Sequence, residues 1–98
     1  MKIEQLEYLL DVLSSGSFLI AAKKNLISES DIRQSITSLE NEFGFKLFKN
    51  NRISNVVNSI EGLQIISIVK KLLMEFQELE LIVKDLKNNS ICEFNYRK

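Results

Sequence analysis

The chain has 98 residues, 45% of them apolar, enough for one small hydrophobic core with an appendage. Its 13 basic and 13 acidic residues cancel, and residues 1–59 alone are balanced at seven of each, so phosphate attraction rests on where a few cations stand. Without histidine and with Cys92 as the one cysteine, a Ser-His-acid triad, an internal disulfide and a zinc finger are excluded.

Apolar residues at Ile3, Leu6, Leu10 and Leu13 recur at helical spacing, with Glu4, Glu7 and Asp11 on the other side. Those acids also break any leader-like apolar run. Ser14-Ser15-Gly16-Ser17 ends this first helix, and Gly16 suits a left-handed cap. A second, short helix is predicted over Phe18 to Asn25, with Ala21 and Ala22 small enough to admit a close neighbour. Ser28 then caps a third helix, with Asp31 in the position of a capping-box acid. That helix should bury Ile32, Ile36, Leu39 and Phe43 and stop at Gly44, with Phe18 and Phe48 joining the core. Two helices joined by a tight polar turn are the pattern of a helix-turn-helix, which lays its second helix in a DNA major groove.

Leu47-Phe48 and Val56-Val57 bracket an asparagine-rich polar stretch, and two short apolar segments around a turn suggest a two-stranded wing. Asn58, with Glu61 three residues on, offers a start for the last helix. From there Ile65, Val69, Leu72, Phe76, Leu79, Val83 and Leu86 alternate intervals of four and three, a heptad seam. A helix of about 30 residues is about 45 Å long, more than one small head can cover, so the seam is expected to be a dimer interface. The apolar run Ile60 to Val69 is too short to span a membrane and contains Glu61 and Gln64. The last residues, 89–98, lack any period and are expected to be disordered, with Cys92 a bystander.

The order Gly16-Ser17-Phe18, Ala21-Ala22, Ser28, Ile36, Leu39-Glu40, Gly44, Leu47-Phe48 and Gly62 resembles the N-terminal domain of LysR-type transcriptional regulators, over residues 1 to about 88. The resemblance implies a mainly α winged helix-turn-helix of three helices and a short two-stranded wing, followed by a long dimerisation helix. It divides the chain into a DNA-binding domain over 1–58 (helix-turn-helix about 18–37), a linker helix over 59–88 and the tail. It also implies an antiparallel pairing of the linker helices. The chain departs from the family at the reading surface. Glu29 stands where the family has Gln, Asp31 where it has Ala, Arg33 where it has Ser, and Asn50 where it has an Arg that clamps the backbone. Asn25 takes the place of a Leu, with Leu26 beside it to fill that pocket, and one extra residue lies between Leu47 and Gly62. The two-lobed effector domain of such regulators is not expected here.

The function expected is a sequence-specific, DNA-binding transcriptional regulator acting as a dimer without a small-molecule effector domain. Its partners would be double-stranded DNA and a second copy of the chain, in the cytoplasm, with no cofactor, metal or membrane. DNA contacts are expected from Ser28, Glu29, Ser30, Arg33, Gln34, Thr37 and Ser38 on the third helix and from Lys49 and Arg52 on the wing. Arg33, Gln34 and Thr37 should lie nearest the bases, and the wing cations on the backbone. Glu29 can accept from cytosine but repels phosphate, and acids here also stabilise the helix start. The alternative is an interaction protein that heterodimerises with a full-length relative and modulates it. No enzyme is expected, since three separated glycines make no phosphate cradle.

Overall fold

Four helices and one two-stranded ribbon follow one another in the computed structural model, which describes residues 1–50 and 52–88. The elements are α1 (Ile3–Ser15), α2 (Phe18–Asn25), α3 (Glu29–Phe43), β1 (Phe48–Lys49), β2 (Arg52–Ile53) and α4 (Ile60–Asn88). This is the mainly α winged helix-turn-helix with a long C-terminal helix that the sequence predicts. The tail over 89–98, with Cys92, lies outside the described residues.

Local chemistry sets each helix end. The Lys2 N–H donates to Gln5 Oε1 at 3.0 Å before the first turn of α1. Gly16 closes that helix at φ 73°, its N–H donating to the Val12 carbonyl. Ser17 and Ser28 cap α2 and α3, their Oγ atoms accepting from the N–H groups of Ile20 and Asp31 at 3.1 Å. Gly44 ends α3 at φ 85°.

The three helices of the head pack on one another around Leu9, Ile32, Leu39 and Leu47, which are fully buried. Ala21 and Ala22 are buried where α2 meets its neighbours, as their size predicts. Each large apolar side chain removed from water contributes about 1.5–3 kcal/mol before ordering costs. The buried line of α1 is Leu6, Leu9 and Val12, whereas Ile3, Leu10 and Leu13 of the predicted stripe are only partly buried. The reason is that α1 touches α2, α3 and α4, so the covered face is wider than a single stripe. Phe43 is likewise half-buried at the end of α3, and Phe48 packs at the edge of the core.

Two boundaries differ from the sequence expectation. The second wing strand is Arg52–Ile53, paired with Phe48–Lys49 in antiparallel register Phe48↔Ile53 and Lys49↔Arg52, not Val56-Val57. Asn50 turns the ribbon early by adopting φ 53°, a left-handed conformation that asparagine tolerates. Val57 instead enters the core from the turn that follows. The start of α4 is set by Ser59 rather than Asn58. Its Oγ accepts from the Gly62 N–H at 3.0 Å and its carbonyl from the Leu63 N–H at 2.9 Å.

Gly62 is where α4 presses on that turn. A Cβ there would collide with the Val56 carbonyl oxygen and lie 2.6 Å from that of Val57. From this anchor Ile65, Ile66, Val69 and Leu73 pack against the head, and α4 lies along α1. Val69, a member of the heptad seam, is thereby spent on the chain's own core at 4% exposure. Farther along the helix Leu79, Leu81, Ile82, Val83 and Leu86 are exposed, and Phe76 is half-buried. Among the described residues, no helix is long and apolar enough to cross a membrane.

Candidate nucleic-acid interface

The outer face of α3 presents Ser30, Arg33, Gln34, Thr37 and Ser38, all exposed, with Glu29 half-buried at its first turn. A four-residue repeat carries each side chain a little past a full turn, so this face splits into two flanks. Arg33 and Thr37 border a cleft of about 230 Å³ with Lys46, Phe48 and Asn50 of the wing segment. Gln34 and Ser38 line a depression of about 380 Å³ on the other flank, with Asp31, Gln5 and Tyr8. The sequence-predicted residues of α3 are thus brought to one surface but not to one pocket. Lys49 and Arg52 face each other across the wing ribbon and are both exposed.

Arg33 is held in place. Its Nε and Nη2 donate to Glu29 Oε2 at 3.1 and 2.8 Å, one helical turn back. Its guanidinium also lies 4.3 Å from the centre of the Phe18 ring. Phe18 in turn meets Phe48 edge to face at 5.2 Å, so one stack links α3, α2 and the wing. Such an exposed i,i+4 pair contributes only about 0.3–0.5 kcal/mol, and the ring contact about 0.5–1 kcal/mol. Its consequence is geometric and electrostatic rather than energetic: cation and anion reach the surface together.

Ser28 Oγ, expected to cap α3 and to contact DNA, is engaged by the Asp31 N–H and lies 3.2 Å from Ser30 Oγ. Asn25 donates to Asp11 Oδ2 at 2.9 Å and to the Ala21 carbonyl at 2.8 Å, joining the end of α2 to α1. Lys24 binds the other oxygen of Asp11 at 3.0 Å. Leu26 does not fill the neighbouring pocket. It is the left-handed cap of α2 at φ 59°, which turns its side chain outward to 90% exposure, and Ile27 packs on the core instead.

Two residues of this surface escape a reading of the sequence. Glu40 is 8% exposed, and its Oε2 accepts from the N–H groups of Leu47 at 2.7 Å and Phe48 at 3.0 Å. These charge-assisted bonds tie the end of α3 to the start of the wing. Its signal was an acid directly after Leu39 on the buried side of the helix. Lys46 borders clefts on both sides of the wing entrance. Nothing in its local pattern sets it apart from other surface lysines.

Residues 3–58 match the model of the bacterial regulatory helix-turn-helix proteins of the lysR family. The HTH-type transcriptional regulator BsdA of Bacillus subtilis (strain 168) is 28% identical over 87 residues, covering 89% of this chain and 30% of BsdA. The chain therefore spans about a third of the length of that curated relative. Among solved structures, BenM_DBD in its catB site 1 DNA complex superposes with a TM-score of 0.74 at 22% identity, over all of both chains. CbnR, a LysR family transcriptional regulator, gives 0.70 at 21% identity over 86% of this chain and 29% of CbnR. At these identities the two structures show the shared fold.

Proposed function

Because the chain belongs to the lysR family of bacterial regulatory helix-turn-helix proteins, we propose that it regulates transcription as a dimer that binds specific sites in double-stranded DNA. The observation that carries this reading is the exposed polar crest of α3 standing beside a wing that carries Lys49 and Arg52. The crest would enter the major groove and the wing would lie on the adjoining backbone. Solved relatives of this fold include BenM_DBD and CbnR_DBD in DNA complexes. In this reading residues 1–58 read DNA, and the helix over 59–88 pairs with its twin through Leu72, Phe76, Leu79, Val83 and Leu86. Ile65 and Val69, packed on the head, set the direction in which that helix leaves it.

A binding titration of genomic fragments across salt tests the DNA reading. A preferred fragment should be held far more tightly than bulk DNA, and uniform weak binding to every fragment rejects a specific regulator. Light scattering tests the dimer. Leu72→Asp with Phe76→Asp should leave a monomer, and a wild type monomeric at tens of micromolar removes the pairing.

A second reading is favoured by the Glu29–Arg33 pair and the balanced charge of the head. In it the head binds DNA weakly, and α4 captures a related full-length regulator as a heterodimer. Recovery of this chain paired with such a relative, in preference to itself, would support it.

A further inference from the structure

We propose that Glu29 is a specificity-determining residue: by clasping the Arg33 guanidinium it withdraws that cation from sequence-independent attraction to the DNA backbone. The inference rests on the DNA-facing orientation of α3 in the reading above. Two N–H donors of Arg33 converge on one Glu29 oxygen, and the Phe18 ring supports the guanidinium from beneath. What approaching DNA meets on this turn is therefore a neutral pair. Sequence-independent binding scales with the phosphates that cations neutralise and the counterions thereby released. A guanidinium already facing a carboxylate adds little to that sum. Among the described residues, Lys46, Lys49 and Arg52 make no ion pair, so the backbone-seeking charge sits at the wing while the one cation of α3 is matched by Glu29. Lower attraction to bulk DNA at unchanged base contacts raises the ratio of specific to non-specific binding. That ratio decides whether a site is found among many competitors.

The test uses a random-sequence duplex and salt from 50 to 200 mM, with the intact chain, Glu29→Gln, Glu29→Ala, and Glu29→Ala combined with Arg33→Ala. The first substitution removes the charge and the second the contact. Circular dichroism verifies that the helices are retained. Each single variant should bind the random duplex about five- to tenfold more tightly at 0.1 M salt, with a log–log slope steeper by about 0.9, the value of one added phosphate contact. Adding Arg33→Ala should abolish the gain. An unchanged slope in both single variants overturns the clasp. So does a gain that persists without Arg33, which would make Glu29 a simple repeller of phosphate. The outcome is independent of whether the intact chain prefers any genomic fragment. Loss of that preference alone rejects the regulator and with it the gain in specificity, while the clasp itself stands on the measured slope.

Discussion

The two halves of α4 are similar in composition and opposite in circumstance. Up to Leu73 the helix is keyed into the head by Gly62, Ile65, Ile66, Val69 and Leu73, while Ile60, Leu63, Ile68 and Leu72 on its outer side stay exposed. Beyond it Leu79 is 57% and Leu81 64% exposed, on a helix that keeps the same alternation of apolar residues. Heptad periodicity therefore reports where an apolar stripe lies, not what covers it. The near half is tied to the folding of one chain, and the far half stands exposed among the described residues.

The contrast can be broken first at its anchor. Gly62→Ala should lower stability by about 3 kcal/mol in urea denaturation, because the intruding atom meets backbone that cannot rotate away. A near-neutral result would mean that α4 is not keyed to the turn. Leu73→Ala should cost about 2 kcal/mol at every protein concentration. By comparison, Leu79→Ala should shift stability by less than about 0.5 kcal/mol in dilute solution. If the far half pairs two chains, that second loss must grow with concentration, since association adds to stability by mass action. Equal losses in dilute solution would erase the distinction between the halves.

Smaller effects sharpen the picture of the head. Glu40→Gln keeps an acceptor but removes its charge, and should cost about 1 kcal/mol in thermal unfolding. No change in Tm would mean that the charge of Glu40 adds nothing to the hold of Ser54 and of packing on the wing. Leu26 is the head's exception, an aliphatic side chain at 90% exposure in a left-handed cap. Leu26→Gly should stabilise by about 0.5 kcal/mol, since glycine adopts that conformation without steric cost. A loss of stability would show that Leu26 makes a contact its exposure hides.

The helices were legible because their signals are local. Ser17, Ser28, Gly16 and Gly44 each fix an end through bonds made within a few residues. The second strand was misplaced because apolar Val56 and Val57 looked like strand, whereas the turn at Asn50 made exposed Arg52 and Ile53 the partners. The pocket beside Asn25 misled for a similar reason. Adjacency in sequence suggested Leu26, but the left-handed backbone there points it away and brings Ile27 inward. At the outer face of α3 the exposed residues could be named, yet their division into two flanks could not. The hold of Glu29 on Arg33 was absent from that list of contacts, although their spacing of four on one helix allowed it.

Glu40 joins the two elements that would straddle a DNA groove. Because one carboxylate oxygen receives the N–H groups that open the wing, the angle between α3 and the ribbon is settled when the chain folds. A wing that had to find its pose on DNA would lose conformational freedom at that moment and weaken the complex. Held in advance, helix and ribbon form a jaw of fixed gape. If the chain binds DNA as proposed, a change of operator geometry would have to be met by bending of the DNA, and the stiffness of the sequence between the two contacts would become part of what is recognised.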